Sequence, residues 1–303
     1  MSHFFNFQSS GVKLSLVLAS LAINLIFGSG CAHMDPTPYS DKNDQRFGKS
    51  FGSVPETSFE AAEFSGNNHT DPKLAFHYSK MAAIERCFSQ GQLASPLHTF
   101  DQTQTLTYTQ VNATTHTLPA LSSRGRGFTT TSVYSYPVTL RYPRFRTAFR
   151  CASYIHQLES KPELEEISAE LVHPYTQDFR GGLLVKETSG KGQIRVGDVI
   201  TAVEGQRVED YLDFFPLVHF SDQPRSTYRL KVVRDGKLIE MDELTKDLSP
   251  ATLLNNAQEV SYGCERRRQL RSQGKIPYQD TIPALCELKA SDWRERFPYI
   301  QVP

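Results

Sequence analysis

Between residues 164 and 246, short apolar strands alternate with turns that are marked by Gly and Asp. Gly197 lies in a turn before the apolar strand Val199–Val203, and Glu204-Gly205 ends that strand with a tight turn. Asp235-Gly236 is a strong hairpin signal between two further alternating strands. Glycine at such positions adopts positive φ at little cost. The segment is therefore predicted to fold as a small antiparallel β structure.

One helical segment interrupts this series of strands. Residues 208–220 have apolar side chains at helical spacing, and Pro216 is expected to bend or divide the helix. Its apolar side comprises Tyr211, Phe214, Phe215 and Val218. Upstream, alternation predicts a strand over 166–172 and a second strand that begins at Gly181. The predicted order is strand, loop, strand, turn, strand, turn, helix and hairpin.

This order of elements resembles a PDZ domain. The stretch from Val196 to Gly205, VGDVITAVEG, is similar to the Gly-Asp signature of bacterial PDZ domains, with Glu204 where Asn is usual. The resemblance implies a PDZ-like β-barrel or sandwich with one helix over residues 162–247. Another small barrel that uses the same turns is the alternative.

The resemblance also implies a binding site. PDZ domains bind extended peptides by adding the peptide as a strand to a sheet edge. In this chain the edge strand would be residues 167–172, and the facing helix would begin near Val208. The implied peptide-binding residues are Ile167, Ser168, Ala169, Glu170, Leu171, Val172, Tyr211, Phe214 and Phe215.

The loop before that edge strand departs from the family. In PDZ domains a glycine-rich loop at this place offers backbone N–H groups to a peptide carboxylate. The matching stretch here, Pro162 to Glu166, contains no Gly and three acids. A carboxylate would meet like charge there. The expected partner is therefore an internal peptide or protein segment held by strand addition; a vestigial groove is the alternative.

The N-terminus predicts export. Residues 14–27 are uncharged and largely apolar, and they are shorter than the roughly 20 residues that span a bilayer. This is typical of a signal peptide, here residues 1–30. The following Gly28-Ser29-Gly30-Cys31 resembles the lipobox of bacterial lipoproteins, with Gly28 in place of the usual Leu. Simple cleavage and an uncleaved anchor are the alternatives.

The lipobox resemblance implies lipidation of Cys31 and a membrane anchor. It places the chain in the bacterial cell envelope, on the periplasmic face. Ala32 follows the cysteine, where Asp would signal retention in the inner membrane, so the outer membrane is expected.

The other four cysteines are an even number, which favours two disulfides in an oxidising compartment. Four cysteines allow three connectivities. Pairing by region favours Cys87 with Cys151 and Cys264 with Cys286; four buried free thiols are the alternative. No Cys lies at metal-ligand spacing from another Cys or a His, so neither a metal nor a cofactor is expected.

The remaining segments complete an α+β chain. A helix is predicted over 72–90, strands within 100–142, a second helix over 145–158, and tail helices over 249–258 and 264–271. Trp293, Phe297 and Tyr299 are expected to dock the tail onto the PDZ-like domain. The predicted regions are 1–30 (signal peptide), 31–71 (flexible tether), 72–160 (N-terminal mixed helix and strand region), 162–247 (PDZ-like domain) and 248–303 (short, mostly helical tail).

The charge balance and the order of the segments limit the classes of function that are expected for this chain. Lys and Arg together number 33, as do Asp and Glu, which argues against a nucleic-acid partner. An exported leader before a PDZ domain resembles the front half of C-terminal-processing serine peptidases, but residues after 246 show no scaffold for a nucleophile. A non-catalytic protein that binds a peptide or protein is therefore expected. A reduced or divergent serine peptidase and a structural envelope protein are the alternatives.

Overall fold

Helices and antiparallel sheets build the chain. The computed structural model describes residues 35–41, 47–118, 128–168, 181–189, 191–276 and 282–300. The strands are β1 (Gly48–Ser53), β2 (Glu60–Ser65), β3 (Leu93–Asp101), β4 (Gln104–Leu118), β5 (Phe128–Tyr142), β6 (Arg144–Ala152), β7 (Tyr154–Leu158), β8 (Glu163–Ser168), β9 (Gly181–Glu187), β10 (Val199–Val203), β11 (Gln206–Arg207), β12 (Phe220–Ser221), β13 (Thr227–Arg234) and β14 (Lys237–Asp247). The helices are α1 (Pro72–Ser89), α2 (Tyr211–His219), α3 (Ser249–Ser272) and α4 (Ala290–Arg296), with a 3-10 turn at Ala284–Glu287. The predicted α+β class is confirmed.

The N-terminal core lies between α1 and a four-stranded sheet in the order β1-β2-β6-β3. Helix α1 begins as predicted, because the Asp71 carboxylate accepts a hydrogen bond from the amide of Leu74 at 2.9 Å and Pro72 needs no donor. Its apolar residues recur at helical spacing, so one face is buried against β2, β3 and β6. Tyr78 and Met81 are among the most deeply buried residues on that face.

The prediction of a flexible tether over 31–71 is wrong for the described residues in that range. β1 and β2 pair along their whole length, from Gly48 opposite Ser65 to Ser53 opposite Glu60. Tyr39 is 6% exposed, and its ring lies 4.8 Å from that of Tyr78. The sequence did not reveal these strands because it is rich in Ser, Gly and Asn, which are typical of loops. Such small side chains are sufficient in a strand that α1 covers.

The predicted helix over 145–158 is also wrong, since this segment forms strands β6 and β7. Along β6, Phe145, Thr147 and Phe149 are buried while the residues between them are more exposed, which is the period of a strand. Thr147 is fully buried because its hydroxyl is hydrogen-bonded to Ser79 at 2.9 Å and Thr99 at 2.8 Å. A polar residue at a core position broke the apolar alternation in the sequence.

The predicted strands between residues 100 and 142 are present, and β4 and β5 form a long ribbon. The ribbon is a separate two-stranded sheet with continuous register, from Gln104 opposite Tyr142 to Leu118 opposite Phe128.

A second sheet has the order β12-β7-β14-β13-β10-β9-β8, with β11 paired to β10. All its neighbouring strands are antiparallel, and α2 packs against β7. This sheet and α2 enclose their own core, in which Leu183, Ile200 and Leu230 are fully buried. The structure therefore contains two hydrophobic cores.

The C-terminal tail contains one long helix, α3, instead of the two predicted. Gly263 lies inside α3 at a close approach to α1: a Cβ there would lie 2.3 Å from the sulfur of Met81. The glycine is needed for helix packing and does not end the helix. Ser249, at the start of α3, accepts a hydrogen bond from the amide of Ile155 at 2.9 Å, which attaches the helix to β7.

The end of the tail docks onto the N-terminal core, whereas the sequence had suggested docking onto the PDZ-like domain. The rings of Trp293 and Phe297 lie 4.9 Å and 5.8 Å from the ring of Phe88 in α1. Arg296 donates to the carbonyl of Phe88, and Tyr299 donates to the carbonyl of Gly91 at 2.9 Å. The last described residues therefore complete a core that the first described residues begin.

Both expected disulfides are present. Cys87 of α1 is bonded to Cys151 of β6, and Cys264 of α3 is bonded to Cys286 in the 3-10 turn. Each bond joins elements that already share the N-terminal core.

Candidate peptide-binding groove

The turns of the second sheet form as predicted. Glu204 and Gly205 have φ of 50° and 78°, and Asp235 and Gly236 have φ of 49° and 73°. Two consecutive residues with positive φ make the type of turn that joins twisted hairpin strands closely. The chain direction therefore reverses within two residues, which sets the register of β10 and β11 and of β13 and β14.

A buried ion pair holds the turn before β10. Asp198 is 1% exposed, and its two carboxylate oxygens each accept a 2.7 Å hydrogen bond from the guanidinium of Arg234 on β13. The same carboxylate accepts from the amide of Arg195 at 2.8 Å. The hydrogen bonds to Asp198 raise the pKa of the Arg234 guanidinium. The Asp198 side chain therefore links the turn to the centre of the sheet.

A groove lies between β8 and α2. Among the described residues β8 is the last strand in the sheet order, and the amide of Tyr211, at the start of α2, donates to the Glu166 carboxylate of β8 at 3.1 Å. Gly181 on β9 makes this approach possible, because a Cβ there would lie 3.1 Å from the carbonyl oxygen of Glu209. The helix therefore starts directly beside the end strand.

A cavity of about 230 Å³ opens beside α2. Its apolar walls include Leu164 of β8 and the rings of Tyr211 and Phe215, which stack with centroids 5.6 Å apart. Burial raises the pKa of the Tyr211 hydroxyl. Lys161 also lines the cavity, in the loop between β7 and β8. The cavity combines apolar surface with one cationic side chain.

The predicted site residues fall into four groups. Tyr211, which is 45% exposed, and the half-buried Phe215 face the cavity. Phe214 lines the cavity as well, but it is only 6% exposed and belongs to the core of the sheet. Ile167 and Ser168 form the end of β8, and the other predicted edge residues (Ala169, Glu170, Leu171 and Val172) lie outside the described residues.

The cavity residues that were missed in the sequence include Leu158, Lys161 and Leu164. The alternation of Leu164, Glu165 and Glu166 was the available signal, since it places Leu164 and Glu166 on one face of β8. Glu165 points to the other face, where it pairs with Lys186 at 2.8 Å. Only one of these two adjacent acids therefore lies at the groove.

The loop before β8 has few free backbone donors. The amide of Glu159 donates to Leu244 at 2.9 Å, and that of Lys161 donates to Leu158 at 3.2 Å. Pro162 has no N–H to offer. These residues do not form the set of free amides that holds a terminal carboxylate.

Two histidines, His156 and His219, also line the cavity. Burial lowers the pKa of His219 to about 4 and also lowers the pKa of His156. Both imidazoles are therefore neutral at neutral pH and add no positive charge to the groove.

The described ranges contain neither a metal-binding cluster nor a membrane-spanning helix. No group of three or more His, Cys, Asp or Glu side chains there is arranged to hold a metal ion. None of the helices in those ranges has the length and apolar content that a membrane crossing requires.

Comparison with known proteins identifies the central part of the second sheet, without β7 and β8. No curated protein matches the chain. Residues 177–243 match the PDZ domain family. The matched range includes β9 to β13, helix α2, the Asp198 turn and most of β14. The chain therefore contains a PDZ domain at residues 177–243.

Proposed function

We propose that this chain is a non-catalytic binding protein that holds an extended peptide or protein segment as an added strand along β8. The position of β8 at the end of its sheet, with the Tyr211–Phe215 side of α2 beside it, carries this proposal. A strand added there gains main-chain hydrogen bonds from the edge, and alternate side chains point into the cavity.

The ligand is an internal segment and not a free C-terminus. Support comes from the loop before β8, where the amides of Glu159 and Lys161 are already bonded and Pro162 has none. The Glu166 carboxylate on β8 lies beside the start of α2 and would repel the carboxylate of a ligand brought close to it. Selectivity then depends on side chains that fill the apolar cavity.

A peptide selected from a display library on the folded chain tests this function. Tyr211→Ala should weaken binding of that peptide about tenfold, since aromatic anchors in interface pockets contribute more than 1 kcal/mol. Tyr262→Ala is the matched control, because Tyr262 is 50% exposed but lies on α3, away from the groove. Fluorescence anisotropy measures both affinities.

The same peptide with an amidated C-terminus tests the mode of binding. We expect amidation to change the affinity by much less than tenfold. A loss of tenfold or more, about 1.4 kcal/mol, would show that the carboxylate is recognised. Labelling by a serine-directed fluorophosphonate would instead favour the divergent peptidase.

We also propose that the chain is exported and anchored by lipid at Cys31, on the periplasmic face of the outer membrane of a bacterial envelope. The two disulfides support an oxidising compartment. The apolar segment 14–27 and the Gly28–Cys31 junction lie outside the described residues and support export from the sequence.

A palmitate analogue fed to the producing cells should label the wild-type chain and leave Cys31→Ser unlabelled. The lipid thioether needs the sulfur of Cys31, so the serine variant tests the site directly. Membrane fractionation should place the labelled chain in the outer membrane. An exported wild-type chain that is soluble and unlabelled would refute the anchor.

A further inference from the structure

Two neighbouring phenylalanines of α2 pack against different cores. Phe214 is part of the core that the second sheet encloses. Phe215, in contrast, packs against the N-terminal core. Phe215 also lines the groove cavity. One side chain of α2 therefore connects the proposed binding site to the N-terminal core.

The ring of Phe59 lies against the ring of Phe215. Phe59 is half-buried and directly precedes β2, in the hairpin that β1 and β2 form. The centroids of the two rings lie 6.1 Å apart, and their planes are inclined by 29°. Phe215 stacks in turn on Tyr211, with centroids 5.6 Å apart. Ring contacts therefore lead from the β1–β2 hairpin to the groove.

A third ring completes a cluster around this contact. Phe220 is 8% exposed, and its ring packs edge to face against Phe59 at 6.0 Å and against Phe215 at 5.7 Å. Edge-to-face and offset pairs are the favoured arrangements of aromatic rings. We call Phe59, Phe215 and Phe220 the phenylalanine cluster. Because each of its rings contacts the other two, none can tilt without losing contacts.

The turn between β1 and β2 fixes the backbone of Phe59. The amide of Val54 donates to the carbonyl of Phe59 at 3.0 Å, and the amide of Phe59 donates to the Thr57 hydroxyl at 3.2 Å. The Thr57 hydroxyl itself donates to the carbonyl of Val54 at 3.0 Å. Both backbone groups of Phe59 are therefore bonded within the turn, so its ring meets α2 from a fixed position.

Arg150 of β6 joins the same turn to the phenylalanine cluster. Its guanidinium donates to the Ser58 hydroxyl at 2.9 Å and lies 5.1 Å from the ring centroid of Phe220. A guanidinium at this distance from an aromatic face is attracted to the ring. The turn and the cluster are therefore also held together through β6.

We infer that Phe59 is a positioning residue for the peptide groove: through Phe215 it holds the Tyr211 ring in the orientation that contacts the ligand. This inference rests on the proposed function of the groove. Phe59 lies outside residues 177–243. Binding at the groove thus depends on a residue that precedes the matched PDZ domain.

A double-mutant cycle with the library-selected peptide tests the inference. Phe59→Ala should weaken binding about fivefold, which is within the range for a lost aromatic contact. In the Tyr211→Ala background the same change should cost less than about twofold, because Phe59 acts through the Tyr211 ring. Phe51→Ala is the matched control and should bind like wild type. Phe51 lies in the same hairpin, but its ring is 5.7 Å from the guanidinium of Arg86 in α1.

A measurement without ligand separates this inference from the proposed function. In protein labelled with 3-fluorotyrosine, the Tyr211 resonance is identified by its absence in Tyr211→Phe. Phe59→Ala should shift that resonance, because movement of the Phe215 ring changes the surroundings of Tyr211, whereas Phe51→Ala should not. Phe59→Leu keeps apolar volume but lacks the ring. It should shift the resonance too, and it replaces Phe59→Ala if that variant does not fold.

Independent effects would overturn the inference. A loss of about fiftyfold in the double variant, the product of the two single losses, would show that Phe59 does not act through Tyr211. An unshifted Tyr211 resonance in a folded Phe59 variant also overturns it. If wild type selects no peptide, the proposed function fails, and the fluorine spectra alone decide whether Phe59 positions Tyr211. Guanidinium unfolding followed by Trp293 fluorescence confirms that each variant is folded.

Discussion

Replacing Cys87 and Cys151 together with alanine should lower the free energy of unfolding by about 4 kcal/mol, the chain-entropy value for a loop of this length. The bond joins residues 64 positions apart and connects α1 to β6. Without the disulfide, the unfolded chain gains conformational entropy, whereas the folded chain does not. Guanidinium unfolding followed by the fluorescence of Trp293, the single tryptophan, measures the loss.

Trp293 is a suitable reporter because its ring contacts Phe88, the residue next to Cys87. The matched control replaces Cys264 and Cys286, which close a loop with separation 22 and should cost about 3 kcal/mol. A loss below 1 kcal/mol for the Cys87–Cys151 pair would contradict the prediction.

Asp198→Ala should destabilise the PDZ domain by about 1–3 kcal/mol, the usual cost of leaving a buried hydrogen-bond donor unsatisfied. The variant leaves the Arg234 guanidinium, whose side chain is 18% exposed, without its two hydrogen bonds to Asp198 and the Arg195 amide without its acceptor. Hydrogen exchange of the amides in β10 and β13 should be faster by roughly 5- to 150-fold, since these strands pair beside the turn.

The control for this prediction is Asp242→Ala. Asp242 pairs with Arg229 at 3.6 Å on the same sheet, but both side chains are more than 60% exposed. Exposed pairs contribute roughly 0–1 kcal/mol. Equal acceleration of exchange in both variants would show that burial of Asp198 has no special effect.

Local signals predicted the PDZ domain well. Turn residues such as Gly205 and Gly236 determine backbone direction within two positions, and short alternating strands follow them. The amphipathic pattern also placed α2, with Tyr211 and Phe215 toward the groove. Such features need only neighbouring residues, so they can be found in a sequence.

Features that depend on distant contacts were not predictable. Thr147 is buried because Ser79 and Thr99, far away in sequence, satisfy its hydroxyl. The docking of Trp293 onto Phe88 instead of the PDZ domain likewise depends on a contact between residues about 200 positions apart in sequence. In the groove, Lys161 was missed because its role follows from the packing of its loop beside α2.

The shared core of the first and last segments also has a consequence for biosynthesis. When a growing chain has been made only as far as β14, the surface of α1 that later receives α3 is still bare, including the sulfur of Met81 beside Gly263. At about 5–20 residues per second, synthesis of residues 248–303 takes roughly 3–11 seconds. During that time the apolar surface of α1 that later packs against α3 stays exposed, and such exposed surface makes a partly made chain prone to aggregation.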